Sequence, residues 1–107
     1  MKKRLYQIRP QAEADLDGHA RTIVRDNLDA ALRLYDLAEE TYEMLGEMPY
    51  MGALHQTSKP ELMGMRYAPI KEYSRYLVFY KPDDTSDDTG VDIVRVLHAR
   101  MDRGGWL

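Results

Sequence analysis

The chain contains no cysteine, which excludes disulfides, thiolate metal ligands and a cysteine nucleophile. It has no apolar run near the roughly 20 residues that a helix needs to cross a bilayer. The first residues, Met1 to Tyr6, are basic, but a polar stretch follows where a secretory signal would carry its apolar segment. The cytoplasm is therefore the expected compartment, with no membrane association. No two histidines stand at metal-ligand spacing with a nearby acid. Asp83, Asp84, Asp87 and Asp88 cluster, but without the central glycine and terminal glutamate of a calcium loop they read as a solvated hairpin tip. No metal or other cofactor is expected. An excess of positive charge is also missing. The net charge is −3, whereas proteins that bind nucleic acid through phosphate are usually basic. That argues against sequence-specific nucleic-acid binding by this chain alone and leaves room only for a local basic patch.

The 107 residues that are present make one domain, 1–107, at 44% apolar and 31% charged an ordinary globular composition. The charge is uneven. Residues 1–9 carry four bases and no acid, residues 10–48 ten acids against three bases, and residues 49–107 eight of each.

Leu5 to Ile8 alternates and reads as a first strand. Pro10 signals a helix start, and Ala12, Leu16, Ala20, Ile23 and Val24 form one apolar stripe over about four turns. Asn27 is suited to cap a second helix, with Asp29 in its first turn. Ala31, Leu34, Tyr35, Ala38, Tyr42 and Leu45 keep the helical period until Gly46 and Pro49, which are expected to stop it. So short a connection makes the helices an antiparallel hairpin. Their remaining faces, with Glu13, Asp17, Arg33, Asp36, Glu39, Glu40 and Glu43, read as a solvated acidic surface. The stretch from Gly52 to Gly64 has no clear period. Met65 to Ile70 reads as a strand interrupted by Pro69, frayed or near an edge. Arg75 to Lys81 and Val91 to Leu97 are strong strands, joined by the polar loop Pro82 to Gly90 and expected to pair antiparallel. The fold class is α+β: an N-terminal strand, then an antiparallel two-helix hairpin packed on a small twisted antiparallel sheet.

Several segments, in order, resemble the toxins of the ParE branch of the RelE/ParE superfamily. Pro10 to Asp17 is similar to the opening of their first helix, and Asn27 to Leu34 to the start of the second. Glu47 to Gly52 is similar to the punctuation after that helix. Gly64 to Tyr67 and Tyr76 to Lys81 resemble the next two strands, and Val91 to Asp102, the most specific stretch, resembles the terminal strand and its exit. The resemblance covers nearly the whole chain. It implies the toxin of a type II toxin–antitoxin pair, silenced in a hetero-oligomer by a cognate ParD-like antitoxin and inhibiting DNA gyrase without catalysis. It also brings in a rival, because relatives of the RelE type are ribosome-dependent mRNA endoribonucleases, and fold alone does not choose between these activities. Laid on the RelE pattern, the strand arginine expected before Leu77 is replaced by Tyr76, with Arg75 one residue off parity. Arg100 matches an arginine just after the last strand, and the C-terminal tyrosine falls at Trp106, whose indole is no proton-transfer catalyst. A nuclease would use Arg100 with Arg75 or Arg66. A further alternative is a non-toxic, antitoxin-binding regulatory subunit.

Arg95 shares strand parity with Val91, Ile93 and Leu97, so its charge must either pair with a carboxylate or open onto a groove. The target-binding candidates are Arg95, His98, Arg100, Arg103 and Trp106. The single tryptophan either folds back on the core or serves as an interface anchor. His98 ends the last strand, His19 reads as a boundary residue of the first helix, and His55 sits alone in the irregular stretch. Candidates for the antitoxin-binding surface are Tyr35, Tyr42, Met44, Met48, Tyr50 and Met51, side chains suited to adaptable interfaces or, alternatively, to capping the core.

Overall fold

The computed structural model describes residues 5–83, 90–101 and 107. Strand β1, Tyr6–Ile8, leads into helix α1, Pro10–Val24, and helix α2, Leu28–Glu47; four strands follow, β2 (Ala53–Leu54), β3 (Arg66–Ile70), β4 (Tyr73–Asp83) and β5 (Gly90–His98), with a short 3₁₀ turn at Pro60–Leu62.

Local chemistry accounts for both helix starts. Pro10 occupies the first turn of α1, where its missing N–H is not needed. The Asn27 side chain accepts from the Ala30 N–H at 3.0 Å, capping α2. The end of α2 departs from expectation, because the helix runs through Gly46 to Glu47. Gly46 is there for packing: a Cβ on it would stand 2.6 Å from both Cβ and the carbonyl oxygen of Leu5, so glycine lets the chain entering β1 cross the helix.

The strand order is β1-β5-β4-β3-β2. β5, β4, β3 and β2 pair antiparallel in sequence, but β1 joins β5 in parallel, so the sheet is mixed and not wholly antiparallel. β2, in the stretch without clear period, is only two residues long and pairs with Tyr67 and Arg66. It stops short of Pro69, which therefore interrupts no ladder on that side. The helices cover one face, where Leu16, Leu34, Leu45, Ile70, Val78, Tyr80, Ile93 and Val96 pack together. Met65, Leu77, Phe79, Val94 and Leu97 form a second cluster on the other, with Leu62, Tyr67, Met101 and Leu107 against it.

A bulge divides β5 between these two faces. Phe79 pairs with Arg95 but Tyr80 with Ile93, leaving Val94 as the extra residue. Val91, Ile93 and Val96 thus serve the helix side while Val94 and Leu97 serve the other. The single row of Val91, Ile93, Arg95 and Leu97 expected from parity does not exist.

Candidate functional site

Arg95 lies beside α1. Its Nε donates to Oδ2 of Asp15 at 2.7 Å and its Nη2 to Oδ1 at 2.9 Å, and the Val96 N–H adds a bond to Oδ2 at 3.0 Å. Gln11 donates to Oδ1 at 3.2 Å. Burial would raise the Asp15 pKa, but the hydrogen bonds from Arg95, Val96 and Gln11 outweigh it and hold the carboxyl below its ordinary value. The charge expected on β5 is thus met by a carboxylate of the helical hairpin.

His98 and Arg100 are brought together at the end of β5. The Arg100 N–H donates to His98 Nδ1 at 3.1 Å, which places the proton of the neutral imidazole on Nε2. His98 pairs across the sheet with Tyr76, and their rings meet edge to face at 5.1 Å. Tyr76 also meets His19 of α1, with ring centroids 4.8 Å apart, and the His19 Nε2 lies 2.8 Å from the Val96 carbonyl oxygen. The Ala99 N–H bonds to the Arg75 carbonyl at 2.7 Å, tying the exit of β5 to the start of β4. The His98 pKa is lowered, first by burial and then by the positive fields of Arg100, His19 and Arg75. An aromatic and cationic cluster of His19, Arg75, Tyr76, His98 and Arg100 therefore stands at one end of the sheet, with Arg75 and Arg100 exposed. Sequence reasoning found His98 and Arg100. It missed His19 and Tyr76, which join only through the packing of α1 on the sheet, and it set Arg75 apart by strand parity alone. Arg103 and Trp106 lie outside the described residues. Arg66 is engaged elsewhere, since its Nη1 donates to the Tyr50 and Gly52 carbonyls at 3.2 and 2.7 Å, and its guanidinium lies 5.2 Å from the centre of the Tyr50 ring. His55 stacks edge-on against Phe79 at 5.7 Å.

The six apolar surface candidates do not form one patch. Tyr50 lines a groove with Leu54, Met63, Arg66 and Lys81, and Met48 and Met51 are exposed in the adjoining turn. Met44 is exposed on α2. Tyr35 and Tyr42 line a different cleft, between the helices and β1, with Tyr6, Ile8, Glu13, Asp17 and Glu39. Tyr42 itself is buried in the core at 3% exposure, so it is no open surface residue.

A helical hairpin laid on one face of a five-stranded mixed sheet, with a short N-terminal strand, is consistent with the fold of the ParE toxins. The sequence pattern of the family described as the ParE toxin of the type II toxin–antitoxin system parDE matches residues 6–103, and the chain belongs to that family. A solved structure of the chromosomal ParDE toxin–antitoxin system from P. aeruginosa is similar, with a TM-score of 0.65 over 89% of this chain and 95% of that one. At 18% identity that likeness speaks for the fold. Among proteins with curated descriptions none matches the chain.

Proposed function

We propose that this protein is a toxin that acts by binding, with DNA gyrase as its target, and that a cognate antitoxin neutralises it by direct contact. Family membership supports the toxin role. The observation that carries the choice of target is the cluster of His19, Arg75, Tyr76, His98 and Arg100, a local concentration of cations and aromatic rings on a protein of net charge −3. Arginine and aromatic side chains suit the centre of a protein interface, and the cations also suit an enzyme already carrying DNA. Met48, Tyr50 and Met51, extended by Leu54 and Met63, offer exposed apolar surface to the antitoxin.

One observation favours RNA cleavage as a second reading. Exposed Arg75 and Arg100 stand near His98, and such cations suit the charge that develops on a phosphate during cleavage. Expression in a bacterial host separates the readings. A gyrase toxin arrests growth, induces the response to broken DNA, and is relieved by the antitoxin encoded with it. Arrest accompanied by mRNA cleavage, both abolished by Arg100→Ala, would favour the nuclease. Normal growth with soluble protein would leave a non-toxic partner-binding subunit.

A further inference from the structure

Among the described residues, the hydroxyl of Tyr42 is the buried side-chain polar atom without a hydrogen-bond partner. Such a group raises the question of what satisfies it in the working state. Tyr42 lines a cleft of about 320 Å³. On the α1 side the cleft presents Glu13 and Asp17, one turn apart; on the α2 side it presents Tyr35, Glu39 and Tyr42, also on one helix face. Tyr6 of β1 completes the wall, its ring 5.6 Å from that of Tyr42. The cleft thus combines three carboxylates with three phenol rings.

Part of this arrangement is already fixed. The Tyr35 hydroxyl donates to Oδ1 of Asp17 at 2.6 Å, bridging the two helices and orienting one carboxylate. Glu13 and Glu39 make no side-chain hydrogen bond or ion pair among the described residues. Burial, then the fields of Tyr6, Asp15 and Glu13, raise the Tyr42 pKa and keep its hydroxyl neutral. The vacant valences are therefore two carboxylates and one phenol oxygen, all of which can accept hydrogen bonds, beside aromatic faces that attract cations.

We propose that this cleft receives an arginine side chain from the antitoxin, its guanidinium stacking on the tyrosine rings while donating to Tyr42, Glu13 and Glu39. This rests on the reading that the chain binds an antitoxin. Charge complementarity commits the occupant to a cation. Planarity, five donors and weak hydration favour guanidinium over the strongly hydrated ammonium of lysine. A macromolecular source fits better than a free small molecule, because the same face of α2 continues from Tyr35 into Leu32 and Leu28, at 55% and 59% exposure. Those leucines give apolar residues flanking the arginine a place to rest.

The test has two arms. In the first, the purified protein is titrated with acetyl-arginine amide and with acetyl-citrulline amide, of nearly the same shape but neutral, while tyrosine ring resonances are followed by NMR. Saturable shifts at Tyr6, Tyr35 and Tyr42 are expected with the arginine probe. They should be at least fivefold weaker with citrulline and lost in Glu13→Gln/Glu39→Gln. Equal response to both probes, or none at these rings, overturns the inference. In the second arm, affinity for the antitoxin encoded with the toxin is compared between wild type and the same double variant, whose fold is checked by circular dichroism. A tenfold or greater loss supports the inference. Unchanged affinity overturns it and leaves the antitoxin reading intact. If the wild type itself fails to bind, the antitoxin reading falls and this occupant with it.

Discussion

Arg95 of β5 and Asp15 of α1 form a bidentate ion pair, at 2.7 and 2.9 Å, with side chains only 13% and 9% exposed. The pair fastens the helical hairpin to the bulged strand, and the Val96 N–H bonds to the same carboxylate. Removing one partner strands a buried charge, which costs on the order of 3–5 kcal/mol. Arg95→Ala and Asp15→Ala are each expected to lower stability by about that much in urea unfolding. Arg95→Met combined with Asp15→Leu should cost less than either single change, since no charge is left alone. A double variant as unstable as the sum of the singles would contradict this account of the pair.

Stability should fall on acidification in two separate ranges. His98 is held below its ordinary pKa, so at pH below about 6.5 the unfolded chain takes up a proton that the folded chain resists. Its contribution is complete above that pH and is lost as pH falls through the lower folded value. Asp15 is also held low, so its contribution is complete above about pH 3.9 and is lost as pH falls through its folded pKa. Melting temperatures measured from pH 8 to pH 3 check both. His98→Gln should flatten the upper range and leave the lower one in place.

Gly46→Ala sets two effects against each other. Alanine favours a helix interior over glycine by about 1 kcal/mol. The added Cβ would lie 2.6 Å from the Leu5 main-chain oxygen, and that oxygen accepts from the Val91 N–H at 3.0 Å to hold β1 in the sheet. Overpacking of this kind costs about 1–3 kcal/mol, and main chain gives way less readily than a side chain. The net expectation is destabilisation, with faster amide exchange in β1; a stabilised variant would show that β1 packs less tightly than described.

Tyr42→Phe removes a buried hydroxyl that has no partner in the free protein. Leaving such a group unsatisfied costs about 1–3 kcal/mol, so the variant should be more stable than wild type in thermal unfolding. If the cleft receives an arginine, the same variant should bind the antitoxin more weakly. Stability and affinity moving in opposite directions is the signature expected; a destabilised variant would mean the hydroxyl is already satisfied.

The helices were legible because their signals are local. Pro10, the Asn27 cap and the apolar stripes each act within a few residues, and β4 and β5 announce themselves by composition. The features that were not legible depend on contacts made over long separations. The β5 bulge at Val94 arises between strands and leaves no period in the sequence, so strand parity misplaced Arg95 relative to Val91 and Ile93. The parallel entry of β1 and the role of Gly46 follow from the same crossing, which neither segment reveals alone. At the sheet end, His98 and Arg100 were visible as near neighbours, whereas His19 lies 57 residues from Tyr76 in the chain and meets it only once α1 is docked. Likewise Glu13, Asp17 and Glu39, read as solvated acids, become the rim of a cleft only when the two helices are side by side.

Plasmid supercoiling by purified gyrase measures whether the cationic sheet end engages that enzyme. Wild-type protein should block supercoiling and cause linear DNA to accumulate after detergent and protease treatment. Arg75→Ala/Arg100→Ala, at unchanged stability, should be at least tenfold less effective, and added antitoxin should restore supercoiling. Full supercoiling in the presence of folded wild-type protein would rule out gyrase as the target, and equal inhibition by the double variant would rule out this sheet end as the contact.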